Sequence, residues 1–65
     1  MPEVLGPRAL DILRLAAEGL TNREIGDQPG RSEHRVSGYT KRILAKLGAG
    51  SRVEAVLIAR ERGLI

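Results

Sequence analysis

Signals that start and stop helices are the feature that most constrains the fold of this chain. Thr21 with Glu24, and Ser51 with Glu54, have the spacing of a capping box, and Ser32 is a further N-cap residue. Glycines that end helices follow at positions 19, 48 and 63. Apolar residues recur at helical spacing between these signals. The pattern predicts four helices and no strand, with the helices over about residues 7–18, 22–28, 33–47 and 52–62.

The length of 65 residues predicts one domain that spans residues 1–65. A chain of this size buries only about 60% of the surface that its unfolded form exposes, so we expect no deep substrate cleft. Cysteine is absent, which excludes disulfides and thiolate metal sites and makes a cytoplasmic location the expectation. No apolar run approaches the roughly 18 residues of a membrane span, and the charged residues within positions 1–20 argue against a signal peptide.

The second and third helices are joined by a predicted turn. Pro29 lacks an amide donor and moves Gln28 out of the helical region, so Gln28-Pro29-Gly30-Arg31 is expected to turn. Two short helices joined by a tight turn form the helix-turn-helix arrangement, whose second helix fits the major groove of B-DNA. As an isolated pattern this is weak evidence, because any hairpin of two helices looks similar.

Basic residues concentrate in one third of the chain. Residues 31–52 hold six basic residues and one acidic residue, a net charge of +5, whereas the remainder has a net charge of −2. This asymmetry favours a face that binds a polyanion. On charge alone, a solvated lysine and arginine surface is an equal alternative.

A longer pattern extends from Leu5 to Ile65 without insertion or deletion. Its matching stretches are Leu5-Gly6-Pro7-Arg8, Ile12-Leu13-Arg14-Leu15-Ala16-Ala17-Glu18-Gly19-Leu20-Thr21-Asn22-Arg23-Glu24-Ile25, Ser32-Glu33, Val36, Ile43, Lys46-Leu47-Gly48, Arg52, Ala55, Ala59 and Gly63-Leu64-Ile65. This pattern resembles the C-terminal DNA-binding domain of the LuxR/NarL/GerE family of bacterial transcription regulators. The resemblance implies an all-α domain of four helices, with the third helix in the major groove.

The resemblance also implies which residues contact DNA. Ser37, Gly38 and Lys41 occupy the positions that face base edges, where Lys41 could donate to guanine O6 or N7. A phosphate contact is the alternative for Lys41. The positions that contact phosphates in the family hold Thr21, Asn22, Arg23, Arg35, Tyr39 and Lys46. For Tyr39 the alternative is a partly buried ring between helices, and Arg52 is expected to tie the third helix to the fourth.

The fourth helix contains five consecutive apolar residues, Ala55-Val56-Leu57-Ile58-Ala59, more than one buried face requires. The resembled family uses this helix to form a two-fold dimer, which implies an interface that includes Val56, Leu57 and Arg60. The alternative is a helix that is buried more deeply. The implied partners are duplex DNA, a second copy of the chain and RNA polymerase, at the bacterial nucleoid in the cytoplasm.

The chain departs from the resembled family at several positions. The family usually has Ala at Gly26, Leu at Pro29 and Ile at Arg31, and Glu where this chain has Ala9. Each lost apolar side chain removes burial worth roughly 1.5–3 kcal/mol, and a helical glycine costs about 1 kcal/mol relative to alanine. These departures predict a weakened second helix, with Arg31 pointing to water rather than to a phosphate. Ser37 in place of the family's Lys predicts weaker base discrimination.

No enzymatic chemistry is predicted. His34 is the single histidine and has no carboxylate cluster at metal spacing, and Ser32 with His34 lacks a third orienting group. No glycine-rich nucleotide loop is present. We therefore expect no catalytic residue, metal, cofactor or small-molecule ligand in this domain.

The sequence thus favours sequence-specific binding of duplex DNA by a symmetric dimer that serves as the output domain of a transcription regulator. Two alternatives remain open. In the first, Pro29, Arg31, Ser37 and Gly38 have eroded the DNA surface, and the domain is a protein-interaction module that pairs through its fourth helix. In the second, the domain binds nucleoid DNA without sequence preference.

Overall fold

Four helices make up the computed structural model, which describes residues 5–65. Their bounds are α1 Pro7–Ala17, α2 Asn22–Gly26, α3 Glu33–Leu47 and α4 Arg52–Glu61. Residues 5–65 contain no strand, and the predicted all-α class with four helices is confirmed. Residues 1–4 of the predicted domain lie outside the described residues.

Helix α3 is the centre of the fold. It packs against α1, α2 and α4, and its inward side chains Val36, Ile43 and Leu47 are buried. Ile25 of α2 is completely buried. The buried core consists of Leu5, Ala9, Ile12, Leu13, Ile25, Val36, Ile43, Leu47, Ala55 and Ala59. Helix α3 is therefore packed against three other helices, and its remaining side faces solvent.

Side-chain caps fix where three of the helices begin. The backbone amides of Arg35 and Glu54 each donate to the hydroxyl of a serine N-cap, Ser32 and Ser51 respectively, at 3.2 Å. The reciprocal bond at Ser51 differs from the predicted capping box, because the Glu54 carboxylate accepts from the amide of Gly50. The caps therefore set the first residues of α3 and α4 at the surface of the domain.

The connection between α2 and α3 is the predicted turn. The Arg31 amide donates to the Gln28 carbonyl at 3.1 Å, and Gly30 between them has φ +80°. Pro29 followed by a positive-φ glycine is the arrangement of a type II turn. Helix α2 ends at Gly26, two residues before the predicted end, because the Gln28 amide already bonds three residues back to Ile25.

Gly26 is required by packing, which corrects its interpretation as a defect of the second helix. A Cβ atom built on Gly26 would lie 2.8 Å from the Ser32 carbonyl carbon, 2.6 Å from Glu33 Cα and closer still to the Glu33 amide nitrogen. Real Cβ atoms do not approach backbone this closely, so an alanine there forces the start of α3 to move. The glycine lets α2 and α3 meet at their junction, and α2 forms despite its departures from the family pattern.

The predicted orientation of Arg31 toward water is wrong, because its guanidinium pairs with the Asp11 carboxylate on α1. The Arg31 side chain is 24% exposed and the Asp11 side chain 46% exposed, so the pair lies at the edge of the core. A partly buried ion pair thus joins the turn to α1 at a position where the resembled family has an apolar residue. The positive charge of Arg31 is thereby paired with a negative charge of α1.

Arg52 also differs from its expected role. Its guanidinium donates to the carbonyl of Leu20, in the connection between α1 and α2. This hydrogen bond therefore connects the start of α4 to Leu20, the residue before the N-cap of α2. It does not connect α4 to α3. This contact fixes the position of the α2 N-terminus, where three of the predicted phosphate-binding residues lie.

Candidate nucleic-acid interface

The surface of α3 that faces away from the core carries two of the three residues predicted to face base edges. Gly38 and Lys41 are exposed, one turn apart on this outward row, and Ser37 is half-buried at its edge. His34 and Ala45 continue the same row and are also exposed. The outward row is thus narrow, with small residues at Gly38 and Ala45, and Lys41 is its single positive charge. A surface of this shape leaves the α3 backbone accessible to a groove of a nucleic acid.

The N-terminus of α2 lies on one side of this row and is organised by a complete capping box. The Glu24 amide donates to the Thr21 hydroxyl at 3.1 Å, and the Thr21 amide donates to Glu24 Oε1 at 2.8 Å. The backbone hydrogen bond from Thr21 is the main reason that the pKa of Glu24 lies below its ordinary value, with the Thr21 hydroxyl and the charge of Arg52 acting in the same direction. The Thr21 hydroxyl accepts within the box, so its own proton remains available to an external acceptor.

The Asn22 side chain of α2 contacts α3. The Thr40 hydroxyl lies 2.9 Å from the Val36 carbonyl and 3.2 Å from Asn22 Oδ1, and its single proton can be donated to either acceptor. The Asn22 oxygen thus faces α3, and its NH₂ group is the donor that could reach an external phosphate. Thr21 and Arg23, its neighbours, are exposed. The three predicted phosphate contacts of α2 therefore lie together beside α3.

The opposite side of α3 carries a row of basic residues around its single aromatic ring. Arg35, Tyr39, Arg42 and Lys46 follow one another at spacings of four, three and four residues, which places them on one helical face. The Arg42 guanidinium lies over the Tyr39 ring, 6.0 Å from its centroid. Tyr39 is half-buried and packs against the core, so the alternative of a ring between helices is part of the observed structure.

Two basic residues of this face were not among the predicted site residues. Arg42 was counted in the basic segment without a role, although its spacing from Tyr39 was a usable signal. Arg8 belongs to α1, and no local pattern connects it to α3. The structure brings Arg8 to the hollows that Arg35, Tyr39 and Arg42 line. Tertiary packing therefore enlarges the basic face beyond the helix-turn-helix.

Helix α4 presents a separate apolar face on its outer side. Val53 is 69% exposed and Leu57 is 57% exposed, one turn apart, and Arg60 lies on the same side. Val56 is half-buried and packs against the core, while Ala55 and Ala59 on the inner side are buried. Sequence reasoning singled out Val56, Leu57 and Arg60 but missed Val53, which precedes the apolar run and repeats the Leu57 position one turn earlier. Deep burial therefore does not explain the apolar composition of α4, because Leu57 is exposed.

Other kinds of site are not found among residues 5–65. Within them, no group of His, Asp or Glu side chains could hold a metal ion. No helix in this range is long and apolar enough to cross a membrane. His34 is exposed on the outward row of α3, without a carboxylate hydrogen-bonded to it among the described contacts.

Comparison with known proteins gives the chain a family. The positive transcription regulator of virulence factors BvgA of Bordetella pertussis is 41% identical over 61 residues, which cover 94% of this chain and 29% of that protein. The transcriptional regulatory protein ComA of Bacillus subtilis is 41% identical over 63 residues, covering 97% of this chain and 29% of ComA. The DNA-binding transcriptional activator DevR/DosR of Mycobacterium tuberculosis is 44% identical over 50 residues, covering 77% and 23%. This chain therefore spans less than a third of the length of these relatives.

The family assignment rests on a match to most of the chain. The family described as "Bacterial regulatory proteins, luxR family" matches residues 3–59. These residues include α1, α2, α3 and most of α4, so the whole helix-turn-helix lies within the match. The resemblance inferred from the sequence is confirmed: the chain belongs to the luxR family of bacterial regulatory proteins.

Proposed function

We propose that residues 1–65 form a single DNA-binding domain, the output domain of a bacterial transcription regulator, which binds duplex DNA sequence-specifically as a symmetric dimer. The observation that carries this proposal is the layout of α3. Its narrow outward row, with Gly38 and Lys41, is flanked on one side by the α2 N-terminus and on the other by the basic row. A helix in the major groove has base edges in front of it and a sugar–phosphate strand on each side.

Each side of the layout has a role in this proposal. Ser37, Gly38 and Lys41 contact base edges, and the phosphates of the two strands are bound by Thr21, Asn22 and Arg23 on one side and by Arg35, Tyr39 and Lys46 on the other. Phosphate contacts set the position of the protein, and base contacts give it sequence preference. Because Gly38 has no side chain and Ser37 is short, close approach of the α3 backbone is part of the recognition.

The dimer is proposed to form through the outer face of α4, with Val53, Val56, Leu57 and Arg60. Exposed apolar side chains in adjacent turns support this surface, because a two-fold contact buries the same patch on both copies. Two recognition helices would then enter successive major grooves about 10 bp apart. The bacterial nucleoid in the cytoplasm is the proposed location, and RNA polymerase is a proposed partner at the promoter.

Selection from a random duplex library, followed by binding across a salt series, tests this function. We expect an enriched site with two-fold symmetry. We also expect an affinity that falls by about 10³–10⁵ between roughly 50 and 200 mM salt if about 6–10 phosphates are contacted. Binding without any enriched site would favour nonspecific nucleoid binding. Failure to shift any duplex at low salt would contradict DNA binding altogether.

One alternative has an observation in its favour. The outward row of α3 carries a single positive charge, and the exposed apolar face of α4 is available to another protein. A protein-interaction module that pairs through α4 fits these two facts. Its apolar contact would respond little to salt, since counterion release requires neutralised phosphates. The salt series therefore separates the two functions.

Two lysines on α3 distinguish base contact from phosphate contact. We expect Lys41→Ala to weaken binding to the enriched site by about 1–3 kcal/mol and to weaken binding to unrelated duplexes less. Lys46→Ala should weaken both kinds of duplex alike, because a phosphate contact carries no sequence information. Titrations of both variants against the enriched and an unrelated duplex measure this. Equal losses on the two duplexes for Lys41→Ala would assign Lys41 to a phosphate instead.

A further inference from the structure

A groove of concentrated positive charge runs between the start of α1 and the basic row of α3. Three adjoining hollows share the Arg8 and Tyr39 side chains, and their basic lining residues also include Arg35, Arg42 and Lys46. Arg31 lines one of these hollows, but its charge is paired with Asp11. Four other cationic side chains therefore surround the Tyr39 ring. Three belong to α3, and the fourth, Arg8, belongs to α1, outside the helix-turn-helix.

The charged side chains among the described residues that line the groove are all basic. None of the described residues that line the three hollows is Asp or Glu. Elsewhere in the chain acidic residues are common, with eight in total against eleven basic ones. A groove lined by basic side chains attracts an anionic partner, and low-dielectric walls such as the Tyr39 ring and Ile12 strengthen that attraction.

The shape of the groove favours a chain of phosphates over a single small anion. From Arg35 to Lys46 the basic row extends over eleven residues, which is about 16 Å of helix. Arg8 and Arg42 are exposed, so their donors reach the surface rather than a closed cavity. The Arg42 guanidinium lies over the Tyr39 ring and belongs to an exposed residue, so it is accessible to a partner at the surface. Donors spread in this way match successive phosphates of one strand.

We propose that Arg8 and Arg42 bind the phosphodiester backbone of one DNA strand, extending the phosphate row of Arg35, Tyr39 and Lys46 onto α1. The inference rests on the proposed DNA-binding function and adds a contact from outside the helix-turn-helix. With Arg8 bound to a phosphate, α1 helps to orient α3 in the major groove of the DNA, in addition to its role in the core. Arg8 and Arg42 set affinity and salt dependence, and they leave the sequence preference unchanged.

The test measures binding of single and double glutamine variants to the selected duplex and to an unrelated duplex of equal length, across a salt series. For each lost phosphate contact we expect the slope of log affinity against log salt to decrease in magnitude by about 0.9, and by about 1.8 in the Arg8→Gln/Arg42→Gln double variant. The loss of affinity between about 50 and 200 mM salt should therefore become about threefold smaller per contact. Both duplexes should be affected by the same factor.

Two controls separate a backbone contact from a change in net charge. Arg14→Gln removes one charge from the same helix, but Arg14 is exposed beside Glu18 and Arg60, away from the groove. It should leave the salt slope at the wild-type value, and Arg8→Lys should restore most of the slope lost in Arg8→Gln. Circular dichroism melting of each variant verifies that the fold is retained.

The outcomes distinguish failure of this inference from failure of the proposed function. If the wild-type chain binds DNA with a steep salt slope but Arg8→Gln and Arg42→Gln change the slope no more than Arg14→Gln, the α1 contact is overturned and DNA binding stands. If the two variants change the preferred sequence, they contact bases, and the backbone assignment is wrong. If the wild-type chain binds no duplex, both proposals fail together.

Discussion

Replacing Gly26 by alanine is expected to destabilise the domain by about 1–3 kcal/mol, the usual cost of forcing extra volume into a packed site. The new Cβ would lie less than 3 Å from the backbone of Ser32 and Glu33, which cannot move aside as a flexible side chain would. The start of α3 must therefore shift away from α2. A domain of this size loses roughly 4–8 °C in Tm for each 1 kcal/mol, so thermal or urea unfolding detects the change readily.

Gly38→Ala is the matched control for this prediction, because it makes the same chemical change within the neighbouring helix. A Cβ on Gly38 would meet no atom within 4 Å. Alanine should therefore stabilise α3 by about 0.5–1 kcal/mol through its better helix propensity. The two substitutions should thus have opposite signs. If Gly26→Ala stabilises the domain as Gly38→Ala does, the close approach of α2 and α3 is not a feature of the folded protein.

Signals that act within a few residues of the chain made the helices predictable. Thr21 and Glu24 are three residues apart, and they form the predicted capping box through their own backbone amides. Ser32 caps α3 in the same way, and the turn at Pro29 and Gly30 needs only its local dihedral preferences. Four helices, and the inward and outward rows of α3, follow from such local rules and the helical period.

Contacts between distant parts of the chain were not predictable from the same rules. The partner of Arg31 is Asp11, twenty residues earlier, and the partner of Arg52 is the Leu20 carbonyl, thirty-two residues earlier. Gly26 was interpreted as a weak point of a helix because its tertiary neighbour was unknown. In each case the local pattern predicts no role for the residue or predicts a different one. Packing against a distant part of the chain determines its contacts.

The candidate site shows the same division. The outward position of Gly38 and Lys41 and the basic row of Arg35, Tyr39 and Lys46 lie on one helix, so the period of α3 predicts which of them share a face. Arg8 is more than twenty residues away from that helix in sequence, and only the packing of α1 against α3 brings it to the groove. Val53 was not predicted for a different reason. It is separated by Glu54 from the continuous apolar run, so a prediction based on that run does not include it.

A charge at Leu57 is expected to abolish cooperative binding to the symmetric site, because the proposed two-fold axis places each Leu57 near the α4 helix of the partner copy. Leu57 is 57% exposed in the single chain, so Leu57→Glu should change the free energy of unfolding by no more than about 0.5 kcal/mol. In a dimer, however, two such charges would be desolvated against each other and against the exposed Val53. Loss of one linked half typically lowers the overall affinity by about 10²–10⁴. We therefore expect affinity for a duplex with two half-sites to decrease about 100-fold or more, toward that for a single half-site.

Leu57→Lys is the decisive companion of Leu57→Glu, because general electrostatics and dimer disruption predict opposite effects for it. An added positive charge far from α3 should slightly strengthen binding to any duplex, whereas a buried like-charge pair at the interface should weaken binding to the symmetric site alone. Both variants should therefore bind a single half-site with nearly wild-type affinity and lose the preference for two. If Leu57→Glu and Leu57→Lys change the affinities for single and paired half-sites by equal factors, the outer face of α4 is not the dimer surface. Its apolar residues then remain available for a different protein partner, as the interaction-module alternative requires.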